Sequence, residues 1–215
     1  MDFQLDEAEV RVLGCLMEKE AATPEYYPLT LNALVNACNQ KSNRDPLVSY
    51  DEDTVEQALD RLRETGLAAR ITGPEMRVPK HRHRLADAFN LGRRESAVLC
   101  ELMLRGPQTG GELRARTERM YHFDDLAAVE ATLARLMEWQ PAPLVVRLAR
   151  QAGSREVRYS HLLSGEPAAA PPPAEPPARF APAPPSPDLL QMQAAIEALQ
   201  LEVAEIKKRL AGLES

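Results

Sequence analysis

The chain has 215 residues, a net charge of −6 and an isoelectric point near 5.4. Hydrophobic residues at 44% and charged residues at 27% are typical of a soluble globular protein with one or two domains. The acidic balance argues against nucleic-acid binding by the whole surface and leaves only local basic patches for that role.

The first residues, MDFQLDEAEV, contain neither the basic nor the apolar segment of a signal peptide. No run of about 18 apolar residues occurs, so no membrane span is expected. The three cysteines (Cys15, Cys38 and Cys100) are odd in number and widely spaced within apolar helical patterns. This usage predicts buried, reduced thiols and a cytoplasmic location.

Three short motifs occur twice in the same order, which predicts two copies of one folding unit. The pairs are Glu9-x-x-Val12-Leu13 with Glu95-x-x-Val98-Leu99, Thr30-x-x-x-Leu34 with Thr109-x-x-x-Leu113, and Val55-Glu56-x-x-Leu59 with Val129-Glu130-x-x-Leu133. The offset between the members of a pair drifts along the chain, as differences in loop length would produce.

Three helices are predicted in the first copy, over about residues 6–20, 30–39 and 50–65, from apolar residues at helical spacing. Thr30 is a favourable cap for the second helix, and Ser49-x-x-Glu52 has the pattern of a capping box for the third. Gly66 suits a left-handed end to the third helix.

After the third helix, the spacing of apolar residues changes from that of a helix to that of a strand. In the first copy, residues 69–72 and 76–78 have the pattern of two short strands around a turn. The second copy repeats this pattern at 144–148 and 157–159. Three helices followed by a β-hairpin is the winged-helix order, an elaboration of helix-turn-helix. The predicted class is therefore mainly α with small β-hairpins (α+β).

Two winged-helix domains, at 5–88 and 91–163, are predicted to precede a linker and a coiled-coil helix. Residues 164–187 are rich in Pro and Ala, which predicts a stiff, extended spacer. Residues 188–214 carry a heptad pattern, which predicts a parallel homo-oligomer, most simply a dimer; one helix packing on the body is the alternative. The a and d positions are Leu189, Met192, Ile196, Leu199, Val203, Ile206, Leu210 and Leu213.

Residues for catalysis, or for binding a cofactor or metal, are not recognisable in the sequence. The histidines have no Cys, Asp or Glu at metal-ligand spacing, and His81-x-His83 lies in the cationic run KHRHR. No Gly-rich phosphate loop and no nucleophile with an identifiable base occur. The sequence therefore predicts a non-enzymatic protein without a cofactor.

Charge is distributed unevenly between the copies. Residues 1–90 carry 11 Lys/Arg against 16 Asp/Glu, whereas residues 91–165 carry 11 against 9. The third helix of each copy would normally enter the major groove, but it begins with Asp51-Glu52-Asp53 or Asp124-Asp125, which repel phosphate. Cations concentrate instead in the hairpins and between the copies. There they would bind phosphate or, alternatively, form a solvated strand edge.

The connection between the second and third helices of the first copy, NACNQKSNRDPLVSY (36–50), is long and polar. Its residues serve either as caps and turns or as a surface that contacts phosphate or protein. With this connection included, the candidate contact residues are Lys41, Asn43, Arg44, Arg77, Lys80, Arg82, Arg84, Arg93, Arg94, Arg147, Arg150, Arg155 and Arg158.

The stretch PEYYPLTLNALVNACNQKSNRDP, followed by Tyr-Asp-Glu at the start of the third helix, resembles the hallmark of the YceH-like family of bacterial proteins. The resemblance covers residues 5 to about 163 and leaves out the proline-rich linker. It implies tandem winged-helix domains, and a C-terminal coiled helix is known in the family. It implies no catalytic residue, substrate or cofactor.

Two functional hypotheses follow. The first is a DNA-associated, regulatory protein that uses the cations of the hairpins and of the long connection. The second is a protein-interaction scaffold, similar to the tandem winged-helix proteins of chromosome-segregation complexes, that binds partner chains through acidic surfaces. The basic second copy favours DNA by a narrow margin, whereas the acidic third helices favour the scaffold.

Overall fold

A computed structural model describes residues 4–74, 76–150 and 156–167 of the chain. These residues form seven α-helices, two 3-10 turns and two small antiparallel sheets. The predicted class, mainly α with small β-hairpins, is confirmed. The order of three helices and an antiparallel strand pair occurs twice, as the internal repeat predicts.

The three helices of the first copy lie close to their predicted positions. They are α1 (Glu7–Ala22), α2 (Leu31–Cys38) and α3 (Glu52–Glu64). Thr30 caps α2, as predicted. The cap of α3 is Asp51, whose carboxylate accepts a hydrogen bond from the Thr54 amide at 2.9 Å, so the capping box predicted at Ser49 is wrong. Gly66 follows α3 in the left-handed conformation, with a φ of 74°.

The first sheet differs from the predicted hairpin. It contains β1 (Leu29–Thr30), β2 (Ala68–Ile71) and β3 (Lys80–His83) in the order β1–β3–β2. The strand predicted at 76–78 is wrong, because pairing with β2 begins only at Lys80, opposite Ile71. The KHRH segment is therefore a central strand, paired on both edges, and not an exposed edge.

The alternation of β3 explains its burial. His81 and His83 point inward and are buried, while Lys80 and Arg82 on the opposite face are half-buried. The ring Nε2 of His83 lies 2.6 Å from a carboxylate oxygen of Glu20. A segment that looks uniformly cationic in the sequence thus contributes two side chains to the interior.

The second copy repeats the arrangement after one additional short helix. Its elements are α4 (Leu85–Phe89), α5 (Arg93–Arg105), α6 (Gly110–Arg116), α7 (Leu126–Met137), β4 (Val145–Arg147) and β5 (Tyr159–His161). Thr109 and Glu112 form a capping box at the start of α6, so Thr109 repeats the role of Thr30. The second strand of the pair begins two residues later than predicted, at Tyr159.

Helices α1 and α5 pack against each other, and both copies contribute to one hydrophobic cluster. The helices approach closely at Gly14, where an added Cβ would lie 2.9 Å from a methyl carbon of Leu104. At the same point the thiol of Cys100 donates to the carbonyl oxygen of Gly14 at 3.3 Å. The prediction that all three cysteines are buried and unbridged is confirmed.

Several predictions fall outside the described residues. They concern the linker from residue 168 onward, the coiled-coil positions of residues 188–214 and the contact residue Arg155. In the part of the chain that the structure describes, no helix is long and apolar enough to cross a membrane.

Candidate interaction surface

The Asn-rich connection between α2 and α3 is tied to the protein by its own polar side chains. The Asn39 amide donates to the Tyr50 carbonyl oxygen, and its side-chain oxygen accepts from the Tyr50 amide, both at 2.8 Å. These paired bonds close the connection at its two ends. The Asp45 amide donates to the carbonyl oxygen of Leu104 at 3.0 Å, so the middle of the connection is attached to α5 in the second copy.

Arg44 is enclosed by protein and does not face solvent. Its guanidinium forms an ion pair with the Glu18 carboxylate at 2.7 Å and donates to the Ala37 carbonyl oxygen at 2.9 and 3.1 Å. The Arg44 side chain has 0% exposure, so the prediction that it contacts an external partner is corrected. The physical reason is the buried carboxylate of Glu18, for which Arg44 is the closest cation; Lys19 and Arg119 lie farther away, at 3.6 and 3.5 Å.

Asn43 connects the two copies. It adopts a left-handed conformation with φ of 54°, and its side-chain amide donates to Glu18 at 3.3 Å and to Glu101 at 3.0 Å. Asn43 is therefore committed to the same internal network as Arg44. Within the Asn-rich connection, the remaining candidate contact, Lys41, is exposed.

The carboxylate of Glu101 has only part of its hydrogen-bonding capacity filled. One oxygen accepts from Asn43, while the other is buried without a partner. Burial raises the pKa of Glu101 to about 7, against the effects of Asn43, Arg105 and Arg119, and the negative charge of Glu18 raises it further. By contrast, the ion pair with Arg44 holds the pKa of Glu18 below its usual range despite burial.

The remaining candidate cations are dispersed over the surface. Arg82 pairs with Asp87 at 3.0 Å, Arg158 pairs with Glu112 at 3.2 Å, and Arg94 donates to the Tyr121 hydroxyl at 2.7 Å. The half-buried Lys80 lies on β3. The exposed members are Arg77, Arg84, Arg93, Arg147 and Arg150. The structure thus brings Arg93 and Arg94 together at the start of α5 but does not gather all the candidates into one patch.

The solvent-facing side of α3 is acidic. Glu52, Glu56 and Asp60 recur every fourth residue and therefore form one line along the helix. They form one wall of a groove of about 380 Å³, which we call the acidic groove; Val78 and His81 line it next to the sheet. Glu52 and Glu56 form no ion pair with another residue that the structure describes, whereas Asp60 pairs with Arg63.

The arginines of both third helices are held in ion pairs. On α3, Arg61 pairs with Asp6 and Arg63 with Asp60. On α7, Arg135 pairs with the buried carboxylate of Glu95 at 3.0 Å and stacks on Trp139. Neither helix contains lysine. The helices that would enter a DNA groove therefore offer phosphate no unpaired cation.

The internal network was not identified from the sequence, although one signal points to it. By the offset of 86 residues that relates α1 to α5, Glu101 takes the position of Cys15. A carboxylate at a position that the repeat makes apolar indicates a buried polar site. By the same offset Glu18 takes the position of Leu104, so the same signal marks Glu18.

Comparison with known proteins places most of the α–β body within one family. Residues 5–154 match the family model described as "Protein of unknown function, DUF480". A UPF0502 protein from Solibacter usitatus is 64% identical over 166 residues, which cover 77% of this chain and 79% of the relative. One from Opitutus terrae is 60% identical over 178 residues, covering 80% and 77%.

The similarity also extends into the C-terminal part of the chain. A UPF0502 protein from Geobacter sulfurreducens is 52% identical over 209 residues, which cover 96% of this chain and 91% of the relative. Because so little of the chain is left out, this alignment includes the proline-rich linker, which the resemblance noted in the sequence excludes.

Proposed function

The chain belongs to the DUF480 family, whose members include the UPF0502 proteins, and from this premise we propose that it is a non-enzymatic protein-interaction scaffold. In this proposal the two copies are winged-helix units that have kept the fold of a DNA-binding module. Their third helices bind partner chains instead of DNA. The predicted C-terminal coil would join two such scaffolds into a dimer.

The observation that carries the proposal is the charge of the third helices. DNA binding depends on cations placed against phosphates, and the loss of such contacts reduces affinity steeply. Here the arginines of α3 and α7 are neutralised by ion pairs, and α3 presents Glu52 and Glu56 to solvent. The same surfaces would attract a cationic protein segment.

DNA association is the second candidate, and a specific observation favours it. Arg93 and Arg94 lie in the first turn of α5, where the helix dipole also favours an anion, and Arg84 is exposed a short distance before them. A phosphate-dominated contact at this point would not need the third helices.

A DNA titration separates the two candidates. Full-length protein would be titrated against a labelled random duplex at 50 and 150 mM salt, with fluorescence anisotropy as the readout. The scaffold proposal expects a Kd no tighter than about 10⁻⁶ M at the higher salt, the range of nonspecific binding. Sub-micromolar binding that is lost in the triple variant Arg84→Glu, Arg93→Glu, Arg94→Glu would replace the scaffold with the DNA hypothesis.

The scaffold proposal also requires that a protein partner be found. Cross-linking of full-length protein in a nuclease-treated extract of a bacterium that carries a UPF0502 relative, followed by mass spectrometry, identifies candidates. Each candidate would then be purified and titrated against the full chain. A direct complex that forms without nucleic acid supports the scaffold, whereas candidates that bind the full chain only when nucleic acid is added back contradict it.

A further inference from the structure

The acidic groove combines features of a docking site on one side of the first copy. It lies between the start of α2, the outer side of α3 and the chain leading into β3. Val78, 52% exposed, and Leu31 give it an apolar part. Glu52 and Glu56 line it from α3, and Arg63 of α3 and Arg70 of β2 line it as well. The groove therefore combines apolar, acidic and basic side chains.

The carboxylates on α3 are not explained by the stability of the helix alone. An acidic residue in the first turn, such as Glu52, interacts favourably with the helix dipole. Glu56 lies beyond the first turn, and its repulsion from Glu52 and Asp60 costs about 0.2–0.5 kcal/mol per pair. An external cation next to Glu52 and Glu56 would offset this repulsion.

His81 gives a second, independent indication of a ligand. Its side chain lines the acidic groove, yet the residue is only 8% exposed and its ring Nδ1 has no hydrogen-bond partner in the structure. Burial and the charges of Arg63 and Arg70 lower the pKa of His81, which keeps the imidazole uncharged at neutral pH. The histidine therefore does not cancel the negative charge of Glu52 and Glu56.

The position of the carboxylates on a helix limits the form of the ligand. In the described part of the chain, the order β1–β3–β2 leaves the outer edges of β1 and β2 open to an added strand, while β3 is paired on both sides. Glu52 and Glu56 lie on α3 and not on a strand edge, so a ligand that binds them must do so through its side chains. An amphipathic helix meets this requirement, since residues four apart on one face are spaced like Glu52 and Glu56 themselves.

We propose that the acidic groove docks an amphipathic helix of a partner protein that carries two Lys or Arg residues one turn apart opposite Glu52 and Glu56. An apolar side chain of this helix packs on Val78 and Leu31, and an acidic residue on its other edge faces Arg70. This inference rests on the proposed scaffold function and adds to it the place and the chemistry of the partner.

The test uses the full chain and two labelled helical peptides. The first peptide carries two lysines four residues apart, leucines beside them and a glutamate on the far edge. The second has the same composition, with the lysines moved to the face opposite the leucines. Binding is measured by fluorescence anisotropy at 150 mM salt, where general attraction between exposed charges is screened.

Two double variants of α3 remove the same charge from different positions. Glu52→Gln with Glu56→Gln acts in the groove, whereas Asp53→Asn with Glu64→Gln acts on exposed residues of the same helix outside it. We expect the first double variant to bind the first peptide about 5- to 10-fold more weakly than wild type, and the second to stay within about twofold. The second peptide should bind wild type more weakly than the first.

Three results would overturn the inference. They are equal losses in the two double variants, equal binding of the two peptides, and no binding of the first peptide below about 1 mM. If a purified protein partner binds wild type and the variant at Glu52 and Glu56 with the same affinity, the docking site is wrong and the scaffold proposal is retained. If only DNA binds, both proposals fail.

Discussion

Replacing Glu101 by glutamine tests whether this buried carboxyl lowers the free energy of unfolding as the pH rises. Glu101 is 1% exposed, with one oxygen bonded to Asn43 and the other without a partner. Its pKa is about 7 in the folded protein against an ordinary value of 4.5. The groups that face it are Asn43, Glu18, Arg105 and Arg119.

The raised pKa of Glu101 determines whether stability rises or falls with pH. Below pH 4.5 Glu101 is protonated in both the folded and the unfolded chain, so its full contribution to stability is present. As the pH rises through about 7, the folded protein must ionise a buried carboxyl that the unfolded chain ionises easily. The shift from 4.5 to about 7, at about 1.4 kcal/mol per pH unit, lowers stability by about 3 kcal/mol.

Glutamine removes the charge but leaves a donor where Glu101 has an unpartnered oxygen, which costs about 1–2 kcal/mol. We therefore expect Glu101→Gln to raise the free energy of unfolding by about 1–2 kcal/mol at pH 8 and to leave it equal or lower at pH 5. Urea unfolding followed by circular dichroism at both pH values measures this difference. Glu130→Gln, at an exposed position of α7, is the control and should change neither value. The same effect of Glu101→Gln at pH 5 and pH 8 would refute the reasoning.

Two further predictions concern the ion pair of Arg44 and the C-terminal heptads. Arg44→Ala removes the closest partner of the buried Glu18 carboxylate and leaves Lys19 and Arg119, at 3.6 and 3.5 Å, as its cationic partners, so urea unfolding at neutral pH should show a loss of about 2–3 kcal/mol, against less than about 1 kcal/mol for Arg61→Ala at the exposed pair with Asp6. A loss at Arg44 no larger than at Arg61 would mean that Glu18 is not held by this pair. Replacing the a-position residues Ile196 and Val203 by lysine should convert the full chain from a dimer to a monomer near 23.9 kDa in light scattering, while lysine at the f positions 194 and 201 should not. A wild-type chain that is already monomeric would contradict the coiled-coil prediction.

The repeat made most of the helices predictable from the sequence, because each apolar pattern was supported by its counterpart. Predictions were weaker where tertiary structure decides. The sequence predicts the second strand of the first sheet at 76–78 and not at 80–83, because the cations of KHRHR obscure the alternation of His81 and His83, which the packing of β3 reveals. Ser49 has a capping pattern, but Asp51 lies closer to the start of α3 and takes the role.

The candidate site was predictable in its charge but not in its partners. The acidic start of α3 and the exposed cations can be read from composition alone. The burial of Arg44 cannot be read from composition, because it depends on the carboxylate of Glu18, which lies 26 residues earlier, on α1. Its position in an Asn-rich connection favours a surface role, and only the fold shows that this connection runs inward to the second copy.

The contact between Gly14 and Cys100 has a consequence for the origin of the chain. The two residues are separated by 86 positions, the same offset that relates α1 to α5 in the repeat. Contact between equivalent positions is also what a two-fold axis produces in an isologous dimer interface. Here the contact joins two copies of one unit within a single polypeptide. Two copies in one polypeptide can differ in sequence at equivalent positions. Cys15 and Glu101 are such a pair, and two identical subunits could not carry this difference.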